Sequence, residues 1–282
     1  MKVGYLGPKG SFTHAATLSF FKKNNLIALP TIISALKKIE TKSVDYVVVP
    51  IENSIEGTVN QTLDFVYHHS KAKVQGEIIL PINQNLMVHP NSSAHLDKIK
   101  AIKSHPQALA QTQQFLDERF NLATQEVTAS TTEAAKWLHD HPNELVAAVA
   151  SLEAAKMYGL HIIYPNIQDV ENNQTRFWII GHENITKKET SIFNKRRSIG
   201  VSFTENKPGN LHKVLSVFSW REIDLTKIES RPLRTQLGEY FFLIDIQNES
   251  PSLVEMAILE LEQLGGVIKE LGTYPVYLEK AF

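Results

Sequence analysis

Residues 2–14 read KVGYLGPKGSFTH, a strand pattern that turns into a helix pattern. An apolar run over 2–6 enters a glycine-rich turn, and helical spacing follows over 11–22. A strand feeding a helix through a tight turn is the repeating half of an α/β fold. The same succession recurs through the first 180 residues. Strand-like runs at 45–51 (DYVVVPI), 100–104 (KAIKS) and 145–150 (LVAAVA) alternate with helical spacing at 31–40, 57–68, 106–118, 131–140 and 151–158. The alternation predicts one or two open, mostly parallel sheets with helices on both faces. Runs at 73–88 and 174–181 read as extended segments that cross between two lobes around a cleft.

The pattern changes after residue 182. Residues 183–197 are polar with weak periodicity and read as a linker, with Lys195, Arg196 and Arg197 on a solvated surface. Beyond it, strand patterns at 198–204, 223–230, 239–247 and 267–279 and helical patterns at 209–220 and 252–264 give the order βαββαβ. That is a ferredoxin-like arrangement. The expected division is therefore a two-lobed domain over 1–182 and a small α+β domain over 198–282.

Composition bounds the chemistry. A length of 282 residues suits two domains, and 43% hydrophobic with 21% charged residues suits a folded core. With 29 basic and 30 acidic residues the net charge is -1, which removes the electrostatic motive for nucleic-acid or membrane binding. There is no cysteine, so disulfides, thiolate–metal sites and thiol nucleophiles are excluded. No apolar run approaches the roughly 20 residues of a membrane helix, and no signal core opens the chain. A cytoplasmic protein is expected. His68-His69 and His139-Asp140-His141 read as surface histidines, since no third ligand follows either pair, and no metal is expected.

Four strand-to-helix junctions and one strand carry the candidate chemistry. The first is the turn Gly4–Ser11, which either presents N–H groups to an anion or is an ordinary turn capped by Ser11. The second is Pro50-Ile51-Glu52-Asn53-Ser54-Ile55-Glu56-Gly57-Thr58, either a ligand loop beyond a strand end or a capping sequence. The third is Ser104-His105-Pro106-Gln107, with proline suited to a first helical turn. The fourth is Ala147-Ala148-Val149-Ala150-Ser151, where small side chains admit a ligand to the backbone. Four such junctions favour an anionic small molecule. In the strand over 174–181, Thr175 and Phe177 share one face and Arg176 takes the other. Arg176 then needs a carboxylate, from the protein or from a ligand.

Taken in order, these segments resemble the prephenate dehydratase family. Residues 4–16 read G-x-x-G-x-x-G-S-F-T-x-x-A and resemble the family's glycine-rich opening segment, residues 50–59 fit P-[IV]-E-N-S-x-x-G-x-V, residues 104–109 fit S-H-x-Q-A-L, and Asn173–Phe177 fits N-x-T-R-F. The resemblance implies a periplasmic-binding-protein-like catalytic domain followed by an ACT regulatory domain. It implies loss of water and carbon dioxide from prephenate to give phenylpyruvate, without a cofactor. Thr175 is expected to donate to the departing hydroxyl and Arg176 to hold the pyruvyl carboxylate or serve structure. Ser11, Asn53, Ser54, Thr58, Ser104, Gln107, Ala148, Ser151 and Phe177 are the expected substrate contacts.

The C-terminal region is similar to the family's ACT domain. Glu229-Ser230-Arg231-Pro232 fits the E-S-R-P motif of a phenylalanine site. Gly209-Asn210-Leu211 stands where G-A-L is usual, so Asn210 departs from the pattern. The resemblance implies L-phenylalanine bound between the ACT domains of a homodimer or homotetramer. It also implies a monofunctional enzyme, since the first strand pattern begins at once, with no chorismate mutase helices before it. Two rivals remain: an arogenate dehydratase, whose substrate carries an ammonium group, and a non-catalytic binding protein.

Overall fold

The computed structural model describes residues 1–21, 25–185, 192–205, 207–236 and 238–279. In chain order its elements begin with β1 (Lys2–Leu6), α1 (Phe12–Phe21), β2 (Asn25–Leu29), α2 (Ile32–Glu40), β3 (Tyr46–Asn53), β4 (Gly57–Thr58), α3 (Asn60–His68), β5 (Lys73–Pro81) and β6 (Asn85–Val88). They continue with β7 (Ala101–Ser104), α4 (Pro106–Ala110), α5 (Gln113–Arg119), β8 (Thr124–Val127), α6 (Thr131–Asp140), β9 (Val146–Ala150), α7 (Leu152–Tyr158), β10 (His161–Tyr164) and β11 (Gln174–Gly181). The last are β12 (Ile192–Phe203), α8 (Asn210–Ser219), β13 (Leu225–Pro232), β14 (Tyr240–Gln247), α9 (Pro251–Gln263) and β15 (Gly266–Leu278). None of the described helices is long and apolar enough to cross a membrane.

The chain forms two compact units. Met1–Asn60 and Ile79–Phe177, with Glu279, make the first; Gln61–Ile78 and Trp178–Leu278 make the second. The first unit has two lobes. In one, β1 lies between β2 and β3 and runs parallel to both. In the other, the order is β10-β6-β9-β7-β8, with β7 parallel to β8 and β9 and with β6 antiparallel to β9 and β10. Each lobe thus has a strand, β1 or β7, with parallel neighbours on both sides, from which the chain departs to either side. Open α/β sheets bind ligands at the strand ends beside such a point.

Burial explains the elements. Val47, Val48 and Val49 of β3 and all of Val146–Ala150 in β9 are buried, as strands covered on both faces require. In α2, Ile32, Ala35, Leu36 and Ile39 are buried at helical spacing, and Thr31 and Ser34 cap the start reciprocally. Substituting such a cap costs about 1 kcal/mol.

The second unit contains the sheet order β13-β14-β12-β15-β5-β11, using the parts of β5 and β11 that belong to this unit. Its core packs Ile199, Val201, Ile244 and Ile246 against Val214, Phe218, Val254 and Leu261 of α8 and α9. The order β12-α8-β13-β14-α9-β15 is the expected βαββαβ arrangement. Gly272 admits close backbone contact, since a Cβ there would lie 2.3 Å from the Val74 carbonyl oxygen.

Several local expectations are corrected. Gly57 and Thr58 pair antiparallel with Asn53 and Glu52, with Gly57 at φ +78°, so the helix expected from 57 starts at Asn60. The helix expected over 106–118 breaks at Thr112, whose hydroxyl donates to the carbonyls of Ala108 and Leu109. Strands β2, β8 and β10 were not foreseen. The linker expected over 183–197 lies partly outside the described residues, and from Ile192 it is already strand. Arg196 is buried against Glu77, and Arg197 pairs with Glu255 at 2.6 Å and Glu270 at 2.9 Å, so these cations are not a solvated surface. The compact units also cut across the expected boundary, because 61–78 and 178–181 cluster with the later strands.

Candidate active site

A cavity of about 440 Å³ opens in the first unit, lined from both lobes. Its wall begins with the turn after β1. Leu6, Gly7, Pro8, Ser11, Phe12 and Thr13 line it, and Ser11 Oγ accepts from the His14 N–H at 3.2 Å, capping α1. The first N–H groups of a helix have no partner within it and carry a partial positive charge, so this turn suits an anion.

The loop after β3 supplies Asn53 and Thr58. Asn53 Oδ1 accepts from the N–H groups of Ile55 and Glu56, at 3.0 and 3.1 Å. That fixes the carboxamide with its nitrogen toward β11. Asn53 Nδ2 then donates to Asn173 Oδ1 at 2.7 Å and to Thr175 Oγ1 at 2.9 Å. The Ser54 N–H donates to the Gln174 carbonyl and Ser54 Oγ accepts from the Gln174 N–H, both at 2.9 Å, which holds the loop in this register. Asn53 therefore both closes the turn between β3 and β4 and forms part of the cavity wall.

The second lobe contributes two helix starts. His105 caps α4, accepting from the Gln107 N–H at 3.3 Å, and Pro106 takes the first position. Ser130 caps α6, accepting from the Glu133 N–H at 3.1 Å, and Ala129, Ser130 and Thr131 line the cavity. Gln84, Gln111, Asn173, Thr175 and Phe177 also line it, and Glu56 brings a carboxylate to the wall. Gln84 Oε1 and Gln111 Nε2 are buried without a hydrogen-bond partner. Among the described residues lining the cavity there is no lysine or arginine. An anion here is met by helix N-termini, hydroxyls and carboxamides rather than by a cationic side chain.

Of the residues singled out from the sequence, Ser11, Asn53, Thr58, Gln107, Thr175 and Phe177 line this cavity. Five others do not. Arg176 alternates away from Thr175, and its Nη1 meets Glu52 Oε2 at 2.6 Å, so the carboxylate it needed is the protein's own. Ser104 is fully buried and donates to the Val149 carbonyl at 2.6 Å. Ala148 is core. Ser151 caps α7 and donates to the Gly10 carbonyl at 2.8 Å, which puts the fourth junction behind the first. Ser54 binds the Asn172 carbonyl. The junction that reaches the cavity in place of the fourth is β8 to α6. All four residues of β8 are exposed, so no apolar alternation marks it in the sequence.

The second unit has its own cavity of about 280 Å³, lined by Phe203, Asn210, Ser230, Leu233, Glu239, Tyr240 and Phe242. Asn210 and Ser230 are two of the expected effector residues. Asn210 donates to the Glu205 carbonyl at 2.9 Å, so its carboxamide closes the turn before α8. Gly209 caps that helix at φ +89°, a conformation that side chains disfavour. Leu211, Glu229, Arg231 and Pro232 do not line the cavity; Glu229 lies 3.6 Å from Arg231, and Arg231 pairs with Asp64.

The prephenate dehydratase family model matches residues 3–185. A prephenate dehydratase of Lactococcus lactis subsp. lactis is 46% identical over 281 residues, covering 98% of each chain. One of Bacillus subtilis is 40% identical over 283 residues, covering 98% of this chain and 99% of its own. The solved structure of a prephenate dehydratase from Arthrobacter aurescens in complex with L-Phe superposes with a TM-score of 0.83 at 31% identity, covering 97% of this chain and 90% of that one. The motifs, the two-lobed cavity and these full-length matches agree, and the chain belongs to the prephenate dehydratase family.

Proposed function

We propose that the chain converts prephenate to phenylpyruvate, water and carbon dioxide in the 440 Å³ cavity, under feedback by L-phenylalanine. The observation that carries the reading is the bond from Asn53 Nδ2 to Thr175 Oγ1. Because Asn53 donates, Thr175 accepts with a lone pair and keeps its own hydrogen for a ligand. The hydroxyl is thus oriented as a donor on the cavity wall before substrate arrives.

In the reaction the ring carbon–oxygen bond breaks and its electron pair leaves on the hydroxyl. The bond from the ring to its carboxylate breaks too, and that pair completes the aromatic ring. Carbon dioxide departs, one proton is taken up, and the hydroxyl leaves as water. Negative charge grows on the departing oxygen, so the Thr175 hydrogen bond strengthens toward the transition state. The departing carboxylate must not be held tightly, because it becomes neutral. A wall without guanidinium or ammonium groups suits that requirement. The starts of α1 and α6 offer N–H groups to the pyruvyl carboxylate, and Phe177 offers an apolar surface to the ring.

Phenylalanine is assigned to the ACT region around Asn210 and Ser230, between two copies of the chain in a cytoplasmic homodimer or homotetramer. The test is direct: mix purified protein with prephenate, follow phenylpyruvate absorbance, and repeat with phenylalanine. Turnover that phenylalanine suppresses is expected. No turnover with prephenate but turnover with arogenate would reassign the substrate; none with either would leave a binding protein.

A further inference from the structure

His14 sits in the first turn of α1 but faces back into the turn that precedes the helix. Its Nδ1 accepts from the Gly10 N–H at 3.1 Å, and the ring is buried, 5.1 Å from the Tyr5 ring. The Gly10 carbonyl is held from the other side by Ser151 Oγ at 2.8 Å. Gly10 has φ +93°, and a Cβ there would lie 2.7 Å from Met157 Cε. Gly10 is thus held at both its backbone N–H and its carbonyl and closed in by its neighbours. The next three residues, Ser11, Phe12 and Thr13, line the cavity.

We propose that His14 is the positioning residue of this active-site turn, and that its protonation releases Gly10 and lowers activity in acid. The inference rests on the functional reading above. An imidazole nitrogen accepts only while unprotonated, so the clamp exists only with neutral His14. Three groups face the ring. Tyr5 from β1 is a neutral wall, Lys9 in the turn opposes a second positive charge, and Glu153 from α7 favours one. Burial dominates and, with Lys9, pushes the imidazolium below the ordinary histidine range. The clamp therefore holds at neutral pH and opens below the ordinary value, about 6.5.

The experiment is the pH dependence of kcat/KM with prephenate from about pH 5 to 8, the window in which histidines titrate, for wild type, His14→Asn and His14→Ala. Circular dichroism at each pH verifies folding. In His14→Asn the carboxamide oxygen takes the place of Nδ1 and cannot be protonated. That variant is expected to keep most of the neutral activity and lose the acid limb. His14→Ala is expected to be impaired at every pH, with a raised KM as Ser11 and Thr13 lose their placement. An unchanged acid limb in His14→Asn would overturn the proposal and move the titration to another group. Should both variants misfold, imidazole nitrogen shifts of the labelled wild-type protein decide it. An Nε2–H tautomer at neutral pH supports the clamp, and an Nδ1–H tautomer overturns it. Absence of turnover in wild type at every pH would strike the functional reading, and the nitrogen shifts would still judge the clamp.

Discussion

Asp64 binds Arg231 through both carboxylate oxygens, at 3.0 and 3.1 Å, and Arg234 approaches the same carboxylate. Asp64 lies on α3, which begins two residues after Thr58 of the cavity wall. Arg231 lies on β13, within the expected effector motif. Both side chains are mostly shielded from water, so the pair is worth more than a surface salt bridge. Asp64→Asn takes this carboxylate from both guanidinium groups and leaves Arg231 with Glu229 at 3.6 Å. The expected outcome is weaker phenylalanine inhibition, with turnover in the absence of effector little changed. Equal inhibition curves for variant and wild type would show that this pair does not transmit the effector.

Thr175 and Asn53 are predicted to act as a unit. Thr175→Ala should lower kcat by about 10²-fold or more, the usual scale for losing a proton donor. Asn53→Ala should lower kcat as well, because the hydroxyl is no longer oriented. The double variant should then fall by much less than the product of the single losses. Strict additivity in the measured kcat values would separate the two roles.

Arg176→Lys is predicted to change KM for prephenate little, since the guanidinium is engaged by Glu52. Its effect should appear in thermal unfolding, because lysine does not reproduce a planar fork. A large rise in KM with unchanged stability would instead bring Arg176 to the substrate.

Ser151→Ala is predicted to be a stability variant. It removes the cap of α7 and the donor to the Gly10 carbonyl together. A cap is worth about 1 kcal/mol, and an unsatisfied buried carbonyl costs about 1–3 kcal/mol. Chemical denaturation with wild-type-like steepness should register the loss. Unaltered stability would show that neither bond carries weight.

Gln84→Met tests the unpartnered carboxamide. Gln84 is 3% exposed and its Oε1 has no partner, so a flexible apolar side chain of similar length relieves a buried polar group. The melting temperature should hold or rise while KM for prephenate rises. A raised melting temperature with unchanged KM would mean that substrate never meets this carboxamide.

The comparison of sequence with structure turns on particular residues. Alternating strand and helix patterns located both lobes and the βαββαβ order, because a core element must bury one face and that requirement leaves a period. The same logic missed β8, whose four residues are all exposed and leave no period. With it went the α6 start, so Ser130 and Thr131 were not foreseen at the cavity. Gln84 and Gln111 carry no local signal, since a glutamine on a cavity wall and one on a surface read alike.

What the sequence by itself determined was chemistry by residue type and order. It placed Asn53 and Thr175 in ordered motifs, put Thr175 and Phe177 on one strand face, and left Arg176 needing a carboxylate. Only the tertiary structure decided which partner each group found. Glu52 lies 124 positions from Arg176, and Gly10 lies 141 from Ser151. Pairings at such separation depend on how strands and helices pack, and no local spacing encodes them. That is why only the packed structure shows Ser104, Ser151 and Arg176 bonded to other parts of the protein outside the cavity lining, and Asn53 beside Thr175.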